Sequence, residues 1–236
     1  MNLLQIPTVA NDTLQQMAQQ VTTTVGTPET TINAFDLAIK GGWLMIVLFV
    51  MLLLSIYVLI ERILVIRSAG KEDDSFMNRI KDYIHEGKIE SALALCRKTD
   101  TPAARMVEKG ITRLGRPMSD ITEAIENVGN IEIAKLEKGL PILATTAAGA
   151  PMIGFLGTVT GMVKAFMSMA NAGVNVDVNI LSTGIYEALI TTVGGLIVGI
   201  IALFAYNYLT TQIKGIVNRM EMRIMEFMDI LNEPAI

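Results

Sequence analysis

The sequence predicts an all-α membrane protein with three transmembrane helices and long cytoplasmic helical extensions. Hydrophobic residues make up 51% of the 236-residue chain, which favours a membrane protein over a soluble domain. Three apolar runs are long enough to cross the hydrocarbon core, which takes about 20 residues of helix. Between and after them, apolar residues recur at the spacing of amphipathic helices. These observations divide the chain into seven segments.

The first segment, residues 1–40, is polar and rich in Thr, Gln and Asn. It lacks a basic region followed by an apolar core, so we do not expect a cleavable signal peptide. Apolar residues recur at helical spacing from Leu14 to Val25. Two interpretations stay open: an amphipathic helix that rests on the membrane surface or on a neighbouring subunit, and a disordered segment.

Residues 41–66 are predicted as the first transmembrane helix. Trp43 suits an anchor at one membrane interface, and Arg62 and Arg67 can extend to headgroups at the other. The sequence between Trp43 and Ser68 contains no glycine and many bulky apolar residues. This composition is typical of a helix that faces lipid.

Residues 67–139 have the composition of a soluble helical insert. Gly87 separates two short amphipathic helices, and Thr101 followed by Pro102 is a typical start of a third. Ser119 is predicted to cap a fourth helix. Its apolar repeat runs to Leu140 without a stop signal, so we expect this helix to continue unbroken into the bilayer.

The second and third transmembrane helices are predicted at residues 140–169 and 181–209, with a short periplasmic link at 170–180. Pro141 and Pro151 are expected to kink the second. The apolar repeat persists after the third, which predicts a cytoplasmic C-terminal helix at residues 210–236.

The distribution of Lys and Arg predicts how these segments are oriented in the membrane. Most of the 19 Lys and Arg lie between residues 67 and 138 or after residue 209. Positive residues near the ends of spans favour the cytoplasmic side. The N-terminus is therefore predicted to be periplasmic and the C-terminus cytoplasmic.

Glu187 is the only acidic residue within the second and third spans. An ionisable group inside a span costs about 2.5–3.5 kcal/mol on insertion scales, so a functional role is the default interpretation. The alternative is that Glu187, close to the start of its span, reaches interfacial water and has no role. Lys164, near the end of the second span, is expected to extend to the interface or to pair with an acid.

Small residues form a strip on each of these two helices, with a threonine near its middle. Such strips let helix backbones approach closely, and this alone explains most of them. The functional alternative is that the strips face a narrow lumen or a guest helix, with Thr158 and Thr192 lining it. Glu187 lies about 140° around the helix from Thr192, so both cannot point at one axis. The glycines of the strips are Gly154, Gly157, Gly161, Gly195 and Gly199.

Several function classes lack their sequence signatures. There is no phosphate-binding glycine loop followed by lysine and no metal-ligand spacing, so we predict neither an enzyme nor a cofactor. One cysteine and one histidine exclude an internal disulfide and a cysteine or histidine metal cluster. No basic stripe suggests nucleic acid binding. Because a proton path needs several titratable groups, proton conduction would require a partner to supply another.

The second and third spans resemble the MotA/TolQ/ExbB proton-channel family, most closely its ExbB and TolQ branch. The resemblance is carried by Gly157-Thr158-Val159-x-Gly161, by Glu187-Ala188-Leu189, and by Thr192 five residues after the glutamate. It covers roughly residues 41–231. Lys164, where a neutral residue is expected, and the long polar N-terminus depart from the family pattern.

The resemblance implies a homopentameric helical ring in the bacterial inner membrane. Its second and third spans would surround the single transmembrane helices of two copies of an ExbD- or TolR-like partner, whose aspartate titrates. Thr158, Glu187 and Thr192 would line the surroundings of that aspartate, with protons as the coupling ion. The function implied is a motor that drives TonB-dependent transport through a TonB-like transducer. A TolQ-like motor with a TolA-like transducer, and a non-conducting scaffold for partner helices, are the alternatives.

Overall fold

The computed structural model describes residues 42–71, 75–172 and 178–232. The described chain contains helices and no strands. The helices are α1 (Gly42–Ala69), α2 (Phe76–His85), α3 (Ile89–Thr99), α4 (Pro102–Ile111), α5 (Met118–Glu137), α6 (Leu140–Ala172) and α7 (Val178–Asn232). The two interpretations of residues 1–40 fall outside the described residues, as does part of the predicted link.

Three of these helices, α1, α6 and α7, are long and apolar enough to cross a membrane. The prediction of an all-helical, three-span membrane protein is thereby confirmed. The third is a single helix of 55 residues, which contains the predicted span 181–209 and most of the predicted C-terminal segment 210–236.

Helix α1 lies along α6 and α7 and buries one narrow stripe of its surface. The members of the stripe are three, four or seven residues apart, as one face of a helix requires. They are Leu44, Leu48, Ser55, Val58, Arg62 and Ile66. The opposite face exposes bulky side chains such as Trp43, Phe49 and Leu53. Such a face is suited to lipid hydrocarbon.

Arg62 does not extend to headgroups as the sequence suggested. Its side chain is 5% exposed, and its Nη1 donates a hydrogen bond of 3.0 Å to the backbone oxygen of Lys135, in the last turn of α5. The guanidinium also forms an ion pair with Glu61. The end of α5 presents carbonyl groups without helical partners beside α1, and Arg62 satisfies one of them.

The expected continuous helix from the insert into the bilayer was wrong. Helix α5 ends at Glu137 and α6 begins at Leu140. Between them Gly139 has a φ of +90°, a conformation that glycine adopts without the penalty of a side chain. A Cβ at Gly139 would lie only 3.1 Å from Val58 Cγ1, so the turn also brings α1 close. Pro141 then falls in the first turn of α6, where its missing N–H needs no partner.

The insert packs its helices around the C-terminal half of α7. Phe76, Ile111, Ile125 and Phe227 are among the fully buried side chains of this core. The predicted helix start at Thr101 is confirmed, since its hydroxyl accepts a hydrogen bond of 3.3 Å from the backbone N–H of Ala104. The predicted cap at Ser119 was wrong. Helix α5 already begins at Met118, so Ser119 lies inside its first turn.

Candidate functional site

Helices α6 and α7 run antiparallel and form the most extensive helix pair of the described chain. The contact is close because glycines from both helices meet in one seam. A Cβ placed on Gly195 would lie 2.5 Å from the backbone oxygen of Ala150 and 2.9 Å from Gly154 Cα. A Cβ on Gly199 would lie 2.7 Å from Pro151 Cγ. Only a hydrogen at these positions allows the backbones to approach this closely.

The seam continues toward the C-terminal end of α6. Gly157 faces the side chain of Thr191, and a Cβ on Gly161 would lie 3.0 Å from Ala188 Cβ. Gly184 completes the row, because a Cβ there would lie 2.6 Å from Ala165 Cβ. The sequence interpretation omitted Gly184. It lies four residues before Ala188, so the same small-residue spacing points to it.

Thr158 and Thr192 meet across this seam. Their hydroxyl groups are in hydrogen-bond contact, and the Thr192 hydroxyl also lies 3.1 Å from the backbone oxygen of Gly154. Both side chains are half-buried. A pair of bonded hydroxyls therefore forms a polar point within the glycine seam, with part of its surface still accessible.

Glu187 lies at a different place, the junction of α1, α6 and α7. Its half-buried side chain lines a cavity of about 40 Å³ together with Lys164, Thr191 and Trp43. The Thr191 hydroxyl donates to the backbone oxygen of Ala188 at 2.8 Å. The structure thus brings Thr158 and Thr192 together and sets Glu187 on a neighbouring face of α7, the separation that the helical phase predicted.

Glu187 also borders the outside of the bundle. It contributes, with Ser182, Thr183 and Tyr186, to an open groove of about 490 Å³ at the N-terminal end of α7. The carboxylate therefore stands between an internal cavity and an accessible surface.

A model of the MotA/TolQ/ExbB proton channel family matches residues 98–222. The chain belongs to this family. The matched residues include most of the helical insert, all of α6 and most of α7, so that Thr158, Glu187 and Thr192 all lie within the family region. This family is one of proton channels and is not a known enzyme family.

Individual family members extend the match. The chain is 32% identical over 219 residues to the Tol-Pal system protein TolQ of Haemophilus influenzae, covering 86% of this chain and 96% of that protein. It is 32% identical over 143 residues to a putative biopolymer transport protein ExbB homologue of Methanothermobacter thermautotrophicus, with 61% of this chain and 50% of that protein covered. The TolQ of Pseudomonas aeruginosa is 29% identical over 177 residues, with 70% and 76% covered.

Proposed function

We propose that this chain is the channel-forming subunit of a proton-driven motor in the bacterial inner membrane. The observation that carries the proposal is the polar pair Thr158 and Thr192, built into a glycine seam of two spans within the family region. Glu187 adds the only carboxylate of those spans. We assign the ion pathway to these three residues.

The proposed complex is a pentamer with two single-span partner helices. Helices α6 and α7 of each copy would face those helices, while the bulky face of α1 would remain in lipid. Support comes from the exposed apolar side chains of α6 and α7, which one chain leaves uncovered. They include Met152, Phe155, Val159, Leu196, Ile200 and Phe204. A partner aspartate would supply a further acidic group, since Glu187 is the only carboxylate in the second and third spans.

The energy available fits this role. Roughly 2.3 kcal/mol is delivered for each charge and each 100 mV, so one proton crossing about 150–200 mV supplies about 3.5–4.5 kcal/mol. An energy of about 5.5 kcal/mol inverts a 1:99 population of two states. One proton therefore supplies most of the energy needed to move a partner helix between two positions, and two protons supply more than enough.

For the coupled system we propose an ExbB-type role, in which the motor drives TonB-dependent outer-membrane transport. The second candidate is a TolQ-type role in envelope maintenance. It is favoured by one observation, the match that covers 96% of a TolQ protein. The partner that copurifies distinguishes the two roles.

Native mass spectrometry of the complex from its own membranes tests the assembly. We expect five copies of this chain with two copies of a single-span protein that has an aspartate in its span. A homo-oligomer without such a protein, under conditions that preserve other membrane complexes, would favour a passive scaffold.

Conduction is tested by proton uptake into liposomes that contain the purified complex. Thr158→Val and Glu187→Gln should each abolish proton uptake and leave the mass of the complex unchanged. Thr145→Val is the matched control, because Thr145 is an exposed threonine of the same helix whose hydroxyl bonds only to its own helix at Pro141. Wild-type uptake by both test variants would refute the assignment.

A further inference from the structure

We propose that Lys164 is a positioning residue that pairs with Glu187 of the same chain across the cavity at the junction of α1, α6 and α7. Residues 140–169 and 181–209 contain one charged residue each, and the two charges are opposite in sign. Both side chains line the same cavity of about 40 Å³. Two lone charges in two apolar helices, brought to one cavity, indicate a pair.

The antiparallel seam places the two residues at adjoining levels. Gly161 of α6 faces Ala188 of α7, and Ala165 faces Gly184 one turn further along. A helical side chain leans toward the N-terminus of its own helix. The Lys164 side chain therefore leans toward the level of Ala188, and the Glu187 side chain leans toward the level of Gly184. The two side chains therefore lean in opposite directions and overlap in level along the seam.

The cavity that they share is suited to a water molecule that bridges the two charged groups. Besides the two charged residues, Gly157, Gly161 and Trp43 line it, and Thr160 and Thr191 add hydroxyl groups. The volume accommodates one water molecule, which is enough to join an ammonium and a carboxylate. Within the described part of the chain the two groups are not in direct ion-pair contact, so a bridged pair or a small rotamer change completes the interaction.

Another group could pair with the Lys164 ammonium in place of Glu187. Lys164 also borders an open cleft of about 350 Å³ at the C-terminal end of α6 and the N-terminal end of α7. Ser168, Asn179 and Thr183 line this cleft. A lipid phosphate in this cleft would compete for the ammonium. We favour Glu187, because pairing inside one chain removes two isolated charges from the bilayer at once, whereas a lipid compensates only one.

The pair would hold the Glu187 carboxylate on the α1 side of α7, away from Thr158 and Thr192. This consequence for the ion pathway rests on the proposed function, but the pairing itself does not. Conduction is therefore left out of its test.

Amine labelling measures the pair directly. The purified complex is treated with an acetylating reagent, and mass spectrometry compares modification of Lys164 with that of the exposed Lys214 on α7. Glu187→Gln should increase relative labelling of Lys164 by about fivefold, the upper end of what an exposed pair supplies. Thr183→Ala, which alters only the outer cleft and groove, should not change it.

Unchanged labelling of Lys164 in Glu187→Gln would overturn the pairing. If removal of lipid raises the labelling of Lys164 instead, a lipid phosphate pairs with its ammonium group and the proposal is also wrong. A charge exchange gives a second readout. Lys164→Glu should lower the Tm of the oligomer, Lys164→Arg should not, and Lys164→Glu combined with Glu187→Lys should restore it. No restoration by the exchange would contradict the pair.

Discussion

Gly195 of α7 lies against the backbone carbonyl of Ala150 on α6, so closely that a Cβ on Gly195 would stand 2.5 Å from that oxygen. The obstacle is backbone on both sides, since Gly154 Cα would lie at 2.9 Å. Backbone cannot move aside as a flexible side chain can. The seam can therefore accept a methyl group here only if the two spans separate.

Gly195→Ala should consequently destabilise the folded chain by about 1–3 kcal/mol, the usual cost of overpacking. The Tm of the protein in detergent and its elution as an oligomer measure the effect. Gly215→Ala is the control on the same helix, because nothing lies within 4 Å of a Cβ there. It should be neutral or stabilising by up to about 1 kcal/mol, since alanine favours helix over glycine. Equal Tm values for the two variants would contradict the close seam.

Arg62 should be essential to the junction of α1 with α5. Arg62→Leu removes the donor to the Lys135 carbonyl and should lower the free energy of unfolding by about 1–3 kcal/mol. Thermal unfolding followed by circular dichroism provides the measurement. Arg67→Leu alters an exposed arginine of the same helix and should change the Tm little. If Arg62→Leu is as stable as Arg67→Leu, the capping role is refuted.

Glu132 should make the insert sensitive to acid. Its side chain is 4% exposed and accepts hydrogen bonds from Lys135 Nζ at 2.7 Å and Arg105 Nη2 at 2.8 Å. Burial by itself favours the neutral acid, but the hydrogen bonds and charges of Lys135 and Arg105 outweigh it and hold the pKa of Glu132 below its ordinary value. A lowered pKa stabilises the fold above the unfolded-state pKa of about 4.3. This contribution is lost as the pH falls through the folded-state pKa.

Glu132→Gln should therefore reduce the free energy of unfolding by about 1–3 kcal/mol at neutral pH, because Arg105 and Lys135 are partly solvated. The difference from the wild type should shrink as the pH falls below about 4. Tm values measured across this pH range test the prediction, with the exposed Glu126→Gln on the same helix as control. A difference that grows in acid would show that the sign is wrong.

Cys96, the only cysteine of the chain, should be inert while the insert is folded. Burial raises the pKa of its thiol to about 12, and the side chain is 1% exposed. The reactive form is the thiolate, so a maleimide should label Cys96 at neutral pH only when the insert opens. Labelling with increasing denaturant should follow the loss of helix, and Cys96→Ser should give no signal. Rapid labelling of the native protein would contradict the buried core.

The sequence predicted an all-helical chain with three apolar spans, because periodicity and length are local properties. The predictions failed where contact with another helix determines the local structure. Neither the turn at Gly139 nor the buried position of Arg62 can be read from one helix, since both depend on α1 and α5 lying side by side. For the site, the strips of small residues predicted close helix packing at Gly154, Gly195 and their neighbours.

The contacts between helices were beyond the reach of the sequence pattern. Helical phase separates Glu187 from Thr192 on one helix, but it does not say which residue of another helix each side chain meets. The hydrogen-bond contact of Thr158 with Thr192 depends on the register of α6 against α7. The cavity that Glu187 shares with Lys164 also needs α1 as its third wall.

Helix α7 is a single rod of 55 residues, which at 1.5 Å for each residue extends about 80 Å. Its N-terminal part carries Glu187, and Phe227 near the other end is locked into the core of the insert. An unbroken ladder of backbone hydrogen bonds is stiff against twist. A rotation imposed on α7 at the level of Glu187 would therefore be transmitted along the helix to Phe227, where the packing of the insert would oppose it.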